Sequence, residues 1–464
     1  MFSSYLNGIR GKAKELVNEL LKSFEYVSLL ATDNTGVAYM ADRRSTVVRE
    51  GAGECGFVLK LHNGKAFYEY SFSDISKSVS ELANEILTKI QSTPALIDAQ
   101  IECDIPKDEP LTKSFIRESD FEKFSDGEVL EFCKTTRDSL LNMDEKILNA
   151  TVIVQPYTVS KLFISKNREL DQHYGWANAF AVVTYRDGKI VRAREGSNGY
   201  ILADIMNELP KKLEKLYKKA INLSKAKPIE PGYYDVITDS SITGLIAHEA
   251  FGHGVEMDQF VKDRALAKEY VGKYVASPIT NMHDGAGATL SAASYFFDDD
   301  GVLAHDTLII ENGVLVAGIS DLVSATRLGT EPTGNGRRES YKRKGYARMT
   351  NTFFAPGNDK LEDMIASIKH GYMLFETNNG MEDPKNWQIQ CTAEYGVEII
   401  DGKLTDNYVS PVVMSGYVPD LLKSISMISD DFEVIGSGSC GKGYKEWVRV
   451  ADGGPALKIK VKLA

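Results

Sequence analysis

The hydrophobic and polar positions of this chain switch between helical and strand periodicity, which predicts a mixed α+β fold. Apolar residues from Leu6 to Leu21 recur at helical intervals and predict an amphipathic helix at the start of the chain. Cys55 to Leu61 and Lys65 to Phe72 have strand character and flank Asn63-Gly64, a dipeptide typical of hairpin turns. Helical spacing returns from Ile75 to Gln91, so this part is predicted to be helix, sheet and helix.

The middle of the chain predicts further helices and strands, followed by a domain boundary. Pro106 to Ser125 lacks periodicity and is predicted to be a loop, whereas Glu128 to Asn149 and Tyr200 to Lys225 have helical spacing. The stretches with strand character are Ala150–Val159, Lys161–Ser165, Ala179–Tyr185 and Lys189–Gly196. Two prolines and a glycine within Pro228 to Gly232 predict the end of an N-terminal α+β domain, residues 1–228, and the start of a C-terminal domain, residues 229–464.

The C-terminal domain is predicted to be β-rich and largely antiparallel. Asp300-Gly301, Asn312-Gly313 and Asp401-Gly402 each indicate a tight turn between two strands. A short helix is expected from Leu361 to His370, with Gly371 as its C-terminal cap. The same domain carries an apolar helix that contains two histidines, which Ser240, Ser241 or Thr243 is expected to cap.

Composition and charge narrow the possible functions. The chain has 464 residues, of which 43% are hydrophobic and 26% charged, as in ordinary globular proteins. The net charge of −11 argues against a broad nucleic-acid surface, which needs a basic field. The sequence has no apolar run of transmembrane length and no signal-peptide pattern at its start, so we expect a cytoplasmic protein. Five scattered cysteines do not predict a disulfide framework.

The segment from Ile246 to Glu256 contains the strongest chemical signal, which is a pair of histidines with an adjacent carboxylate. His248 and His253 are candidate metal ligands, and Glu249 is placed to take a proton from a metal-activated water. Their spacing is i and i+5, and on a regular helix this separates the two side chains by roughly 140°. A wide turn with i→i+5 hydrogen bonds would bring them together, so we predict a helix that is widened or broken at Gly252.

A catalytic zinc site needs a third protein ligand and an open fourth position. Glu256 and Asp258 are candidates for this ligand because they are close in sequence, and Cys440 is a candidate because its thiolate is soft. Closure of the site by four protein ligands would instead indicate a structural metal.

Four motifs, in this order along the chain, carry a resemblance to a known family. They are His-Glu-Ala-Phe-Gly-His-Gly-Val-Glu at His248, Pro332–Tyr341, Arg348–Thr352 and Gly438–Lys442. The chain resembles the TldD branch of the TldD/PmbA family over essentially its whole length, most strongly from about Tyr233 onward.

This resemblance implies a zinc-dependent peptidase with a His-His-Cys site completed by Cys440. Glu249 would act as general base and pass its proton to the leaving amine. The substrates implied are unfolded polypeptides or peptide precursors, and the implied assembly is a dimer, either a homodimer or a heterodimer with a PmbA-like (TldE) subunit. One local departure is the segment from Asn379 to Trp387, where the family has more glycine.

The glycine-rich segment Thr333 to Arg338 has two interpretations. Asn335, Arg337 and Arg338 are tentative substrate-binding residues, since guanidinium groups bind carboxylates and peptide carbonyls. Alternatively, the segment is a tight turn whose arginines pair with Glu339 or Glu331. The sequence indicates no chemical step for this segment.

Two other functions remain open on the sequence alone. One is a non-catalytic peptide-binding or regulatory partner subunit that retains a structural metal. The other is a metal-dependent hydrolase that acts on a non-peptide amide, which would use the same residues.

Overall fold

A long mixed sheet organises the first part of the chain in this computed structural model, which describes residues 1–51, 53–92, 102–444 and 446–464. Its strands are β1 Tyr26–Ala41, β2 Thr46–Glu50, β3 Glu54–His62, β4 Phe67–Phe72, β5 Leu111–Ile116, β6 Ile147–Ile164, β7 Arg168–Asp187 and β8 Lys189–Gly199. Their order is β4-β3-β1-β6-β7-β5, with β2 paired to β1 and β8 paired to β7. Strand β5 runs parallel to β7, and the other pairs are antiparallel.

Helices cover one face of this sheet. They are α1 Ser4–Leu20, α2 Val79–Gln91, α3 Asp126–Leu141, α4 Leu202–Glu208 and α5 Leu213–Lys225. Helices α1 and α2 pack on one end of the sheet, where Leu16 and Leu82 share a core with Leu29, and α3 and α5 pack on the other end. Each such leucine, once fully buried, contributes about 1.5–3 kcal/mol, so these apolar faces keep the helices on the sheet.

The opposite face of the sheet packs against the C-terminal part of the chain. Gln172 Nε2 donates to the Phe297 carbonyl at 2.8 Å. Buried ion pairs cross the same boundary and join Lys60 to Asp300 and Lys161 to Asp299. Because each of these charges has a partner of opposite sign, the contact fixes the orientation of the two parts.

The C-terminal part is built from short helices and many strands. The helices are α6 Ser240–Leu245, α7 Met257–Val261, α8 Leu322–Leu328, α9 Leu361–Ala366 and α10 Val418–Lys423. The strands are β9 Gly232–Thr238, β10 Met282–Asp284, β11 Thr307–Glu311, β12 Val314–Leu315, β13 Gly336–Arg337, β14 Tyr346–Ala347, β15 Asn351–Phe354, β16 His370–Asp383, β17 Gln388–Ile400, β18 Lys403–Val409, β19 Val412–Tyr417, β20 Met427–Ile428, β21 Glu433–Lys442, β22 Glu446–Gly454 and β23 Leu457–Leu463.

Two sheets of this part enclose α6 and the turn that follows it. In the first, strands β16, β9, β23, β19 and β17 pair in this order, and β16 also pairs with β17, so the five strands form a closed ring. The second has the order β12-β11-β10-β15-β22-β21. Helix α6 lies between β16 and β22, one strand from each sheet. The residues after α6 are therefore held between the two sheets.

The predicted α+β class and the β-rich C-terminal part are confirmed. Most pairs there are antiparallel, with β9–β16 and β15–β22 as parallel exceptions. The hairpins predicted at Asn63-Gly64, Asn312-Gly313 and Asp401-Gly402 join β3 to β4, β11 to β12 and β17 to β18. At Asp300-Gly301 the described residues on either side of the turn form an isolated bridge, between Phe297 and Leu303, and not a pair of strands.

Several predicted boundaries were wrong. The segment predicted to be a loop contains β5, which a periodicity test missed because the strand is short and mostly exposed. The helix predicted to reach Asn149 ends at Leu141, and the next two predicted strands are one strand, β6. The helix predicted from Leu361 ends at Ala366, and Gly371 lies inside β16 rather than at a cap.

The helix predicted from Tyr200 to Lys225 is interrupted. A 3₁₀ turn at Leu209–Lys212, which contains Pro210, separates α4 from α5, because proline cannot continue an α-helical hydrogen-bond ladder. Among the helices of the described residues, none combines the length and apolar character needed to cross a membrane.

Candidate metal centre

The two histidines lie on a π-helical turn. Asp239 caps helix α6 by accepting from the Ile242 N–H at 2.8 Å, so the cap is not Ser240, Ser241 or Thr243. The helix then widens into a π turn over Ile246–Gly252, in which the His253 N–H donates to the His248 carbonyl. This bond spans five residues, so the widening predicted at Gly252 is confirmed.

Gly252 allows the wide turn through close packing. A Cβ at this position would lie 2.1 Å from Met349 Sδ, and Met349 is fully buried. The φ of Gly252 is −59°, which is ordinary for any residue. The glycine therefore provides space for a neighbouring side chain and is not needed for an unusual backbone conformation.

The turn brings His248 and His253 together with a cysteine from a distant strand. The centroids of the two histidine rings are 5.2 Å apart, and His253 Nε2 lies 3.5 Å from Cys440 Sγ. One ligand atom from each of the three residues falls within 4.8 Å of the others. Two imidazoles and a thiolate at this separation form a donor set that suits Zn²⁺. Cys440 is on β21, where it is paired with Val448 of β22.

The cluster favours charged forms of its members. Burial raises the pKa of the Cys440 thiol, but the two histidines outweigh this effect and hold the pKa well below its ordinary value. Burial lowers the pKa of His248, but the Cys440 thiolate outweighs it and raises the pKa to about 9. The thiolate is the form of cysteine that binds metals, so the ligand is prepared before an ion arrives.

Each histidine also has a carboxylate near Nδ1, the ring nitrogen on its other side. His253 Nδ1 lies 3.2 Å from Glu256 Oε2, within hydrogen-bond distance. His248 Nδ1 lies 3.7 Å from Asp452 Oδ2, which is an ion-pair distance rather than a hydrogen bond. Carboxylates in this position orient the imidazole and fix its tautomer in metal sites.

Gly244 explains how Asp452 reaches His248. A Cβ on Gly244 would lie 2.5 Å from the Gly453 nitrogen and 2.8 Å from Asp452 Oδ1, so only glycine lets β22 approach α6 this closely. Gly244 and His248 are four residues apart and therefore share a helix face. Burial raises the pKa of Asp452 to about 6.

Two buried cations, Lys442 and Arg348, bind groups that surround the cluster. Lys442 Nζ donates to Glu256 at 2.9 Å, to Asp258 at 2.6 Å and to the Ala347 carbonyl at 3.0 Å. Arg348, which is fully buried, donates to the Cys440 carbonyl at 2.6 Å. The ammonium group has three protons and three acceptors, so Lys442 is fully engaged in holding Glu256 and Asp258.

Glu256 and Asp258 thus bind Lys442, and Glu256 also binds His253. The cluster that could hold a metal in the described residues contains Cys440 and neither of these carboxylates. A set of three protein ligands leaves a fourth position for water or substrate.

Glu249 lies beside the cluster on its more exposed side. Its Oε1 is 4.0 Å from His248 Nε2, and its side chain is 18% exposed, whereas that of His248 is 6% exposed. A carboxylate next to a metal ligand, with access to solvent, is positioned to accept a proton from a water in the site.

The structure does not bring the Gly-Asn-Gly-Arg-Arg residues to this cluster. Asn335 is fully buried and donates to Asp284 and to the Arg348 carbonyl. Arg337 donates to the carbonyls of Met349 and Arg449. Arg338 pairs with Glu69 at 3.1 Å, across the boundary with the N-terminal sheet. These hydrogen bonds are made to the protein itself, and the ion pairs of Arg338 in the described chain are with Glu69 and Asp299, not with Glu339 or Glu331.

A cavity of about 730 Å³ also lies at this boundary, between β3–β4 and the segment 338–346. Asp258 is among its lining residues, which do not include His248, Glu249, His253 or Cys440. Lys60, Glu69 and Arg338 line it but pair with one another or with Asp300. We therefore assign the chemistry to the cluster and not to this cavity.

Sequence reasoning missed Asp452, Lys442, Arg348 and a further carboxyl, Glu382, described below. These residues lie far from the histidines in the chain. Lys442 and Arg348 fall inside motifs that carry the family resemblance, and Glu382 lies in the segment from Asn379 to Trp387 that departs from it. Their association depends on β21, β22 and β16 packing around one turn, which no local pattern encodes.

Comparison with known proteins identifies the family of this chain. Residues 231–462 match the model of the PmbA/TldA metallopeptidase C-terminal domain. The chain is 27% identical over 445 residues to a metalloprotease from Methanothermobacter thermautotrophicus, covering 94% of each chain. It is 30% identical over 303 residues to a zinc metalloprotease TldD homolog from Saccharolobus solfataricus, covering 64% of this chain and 67% of that one.

A solved structure shares the fold. TldE from Thermococcus kodakarensis superimposes with a TM-score of 0.76 at 18% identity, covering 97% of this chain and 99% of that one. The family model spans half of the sequence and includes both histidines and Cys440. The chain therefore belongs to the TldD/PmbA family of metallopeptidases.

Proposed function

We propose that this chain is a zinc-dependent peptidase in which Glu249 is the general base. The observation that carries the proposal is the convergence of His248, His253 and Cys440 to within 4.8 Å, with Glu249 beside His248. A Zn²⁺ ion held there supplies a Lewis acid that lowers the pKa of water and polarises a carbonyl group.

The side chains of the protein have separate tasks in this proposal. Glu249 accepts the proton of the attacking water, and the same carboxylate keeps that water directed at the scissile carbonyl. Glu256 and Asp452 orient the two imidazoles from behind. Arg348 and Lys442 keep the Cys440 strand and Glu256 in place.

The substrates we propose are unfolded polypeptides or peptide precursors. An extended peptide could pair with an exposed strand edge of the β-rich C-terminal part, which would bind many sequences through backbone hydrogen bonds. We also propose a dimer in which the partner is a second copy of the chain or a TldE-like subunit, which shares the fold of this chain. Closure of the site by Glu256 or Asp258 would favour the non-catalytic alternative, and both carboxylates have other partners.

The test combines metal content with hydrolysis of an unfolded protein. Wild type should hold about one zinc per chain and cleave in a way that a chelator abolishes. Glu249→Gln should keep the zinc and lose cleavage by at least about 10²-fold. His253→Ala should lose the zinc, whereas Glu311→Gln, at an exposed position on β11, should match wild type in both properties.

Zinc should also stabilise the folded chain, because an ion that binds only the folded state adds about 4 kcal/mol at a concentration 1,000-fold above its dissociation constant. Thermal unfolding with and without zinc measures this, and His253→Ala should show no shift. Zinc binding without cleavage by wild type, even after a TldE-like subunit is added, would refute the catalytic proposal.

A further inference from the structure

Strand β16 brings a second carboxyl group to the metal centre. Gly380 and Glu382 lie on the same face of β16, since alternate residues of a strand point to the same side. Glu249 lies over the first of these positions, because a Cβ on Gly380 would be 2.5 Å from Glu249 Cγ. Glu382 occupies the next position on that face, and the histidine turn passes over both.

The carboxyl group of Glu382 is buried without a partner. Within the described chain, neither of its oxygens has a hydrogen bond or contact with solvent. Its Oε1 lies 2.9 Å from the point where a Cβ on Gly254 would stand, and Gly254 follows the metal ligand His253. Burying such a group without hydrogen bonds costs several kcal/mol, so its presence calls for a reason.

A second orphaned group faces the same point. Trp387 Nε1 is also buried without a hydrogen-bond partner, and it lies 3.1 Å from the position of that Cβ. The carboxyl group and the indole N–H therefore pack directly against Gly254, next to the metal ligand, where no larger residue would fit. Both groups are able to donate a hydrogen bond when the carboxyl is protonated.

The surroundings of Glu382 favour the protonated form. Burial raises the pKa of its carboxyl well above the ordinary value, and the negative charges of Glu249 and Glu256 raise it further, against the opposing effect of the histidines. No cation pairs with this side chain among the residues that the structure describes. A neutral buried carboxyl is an O–H donor at neutral pH.

We propose that Glu382 is the general acid of the peptidase reaction and donates its proton to the leaving amine. The proposal rests on the proposed function and divides the proton transfers between two carboxyls. Glu249 faces the water, and Glu382, one same-face position along β16, faces the amine nitrogen. In this division Glu382, and not Glu249, protonates the amine. This differs from the expectation from the sequence, in which Glu249 passes its proton to the leaving amine.

The proton balance closes over one turnover. The water oxygen bonds to the carbonyl carbon and the C–N bond breaks, with its electron pair going to nitrogen. Glu249 takes one proton of the water, the other stays on the new carboxyl group, and Glu382 protonates the nitrogen. Transfer of the proton held by Glu249 to Glu382 then restores both groups, and the net reaction is hydrolysis.

Matched substrates test this role. A peptide amide that wild type cleaves is compared with the nitrophenyl ester of the same acyl segment, because nitrophenolate leaves without a proton and an amine does not. Glu382→Gln keeps the size of the side chain but has no acidic proton. Its kcat/KM should fall about 10²- to 10⁴-fold on the amide and stay within about threefold of wild type on the ester.

Two other variants make the comparison specific. Glu249→Gln should lose both activities, since both substrates need the water activated. Glu394→Gln is the matched control, because Glu394 lies on β17, its pKa is raised to about 7 by burial and by Glu376, and it is not part of the metal centre. It should cleave both substrates like wild type.

A measurement other than activity supports the same assignment. Infrared spectroscopy of the zinc-loaded protein at neutral pH should show a protonated carboxyl band in wild type and in Glu249→Gln that is lost in Glu382→Gln. Zinc content should be unchanged in all variants. If Glu382→Gln does not fold, Glu382→Asp should still lower the ratio of amide to ester hydrolysis at least tenfold.

The outcomes separate the two proposals. Equal loss on amide and ester, loss of zinc, or no loss on either substrate would each overturn the role of Glu382 while leaving the peptidase assignment intact. If wild type cleaves neither substrate in the presence of zinc and a TldE-like subunit, the proposed function itself fails.

Discussion

Replacing Glu256 by glutamine tests whether the carboxylate behind His253 controls metal affinity. Glu256 is 1% exposed. Its Oε2 lies 3.2 Å from His253 Nδ1 and accepts a hydrogen bond from Lys442 Nζ at 2.9 Å. Glutamine keeps the shape but removes the negative charge that favours the Nδ1–H tautomer of His253. That tautomer leaves Nε2 free for a metal, so the substitution weakens the ligand directly.

The size of the effect follows from the geometry. Loss of a carboxylate behind a metal-ligating histidine typically costs 10- to 100-fold in affinity, which is about 1.4–2.7 kcal/mol. We expect the upper half of this range, because Lys442 and Arg348 also face Glu256 and hold its pKa below the ordinary value despite burial. The glutamine would leave those cations with less negative charge to oppose them.

The assay is zinc titration of the apoprotein against a chromophoric chelator. Asp258→Asn is the matched control, because Asp258 also accepts from Lys442, at 2.6 Å, and does not contact His253 in the recorded hydrogen bonds. Glu256→Gln should raise the dissociation constant at least tenfold over Asp258→Asn. Equal affinities in the two variants would refute the reasoning, since the shared contact with Lys442 would then account for the whole effect.

Two further predictions follow from other contacts. Gly380→Ala should lower kcat about 100-fold without loss of zinc, because the added Cβ would displace Glu249 while leaving the ligands in place; unchanged kcat at full zinc content would contradict this. The free energy of unfolding should fall as the pH falls from about 5 towards 2, because Arg338 and Lys60 outweigh burial and lower the pKa of Glu69 from 4.5 to about 2. The lowered pKa stabilises the folded state at pH values above 4.5, and this contribution is lost as the pH falls from there to about 2. The free energy of unfolding of Glu69→Gln, measured with urea, should therefore depend less on pH between about 5 and 2 than that of wild type.

The sequence predicted the local features of this protein better than their boundaries. The Asn-Gly and Asp-Gly turns carry their own backbone preferences, and Asn312, Gly313, Asp401 and Gly402 do adopt positive φ. Strand lengths were underestimated, as in β6 and β7, because tertiary pairing extends a strand beyond the stretch with clear alternation. Pro210 was visible in the sequence, yet its effect on the helix was not predicted.

The metal centre shows the same division between local and tertiary information. The spacing of His248 and His253 predicted the π turn, because two histidines at i and i+5 can bind one ion only on such a turn. The sequence left Cys440, Glu256 and Asp258 as rival ligands, and the family resemblance favoured the cysteine. Geometry is needed to see that the two carboxylates instead support the site, since this depends on where Lys442 lies.

One packing contact explains why these distant residues come together. Gly244 lets α6 touch the backbone of β22 at Asp452 and Gly453, and this places Asp452 beside His248. Strand β21 is the antiparallel neighbour of β22, so the same contact brings Cys440 to the two histidines. The positions of Cys440, the proposed third ligand, and of Asp452, the proposed orienting carboxylate, therefore depend on a single close approach between a helix and a hairpin. Because the glycine that permits it lies one turn before His248 on the same helix face, the site can form only when that hairpin is docked on the helix.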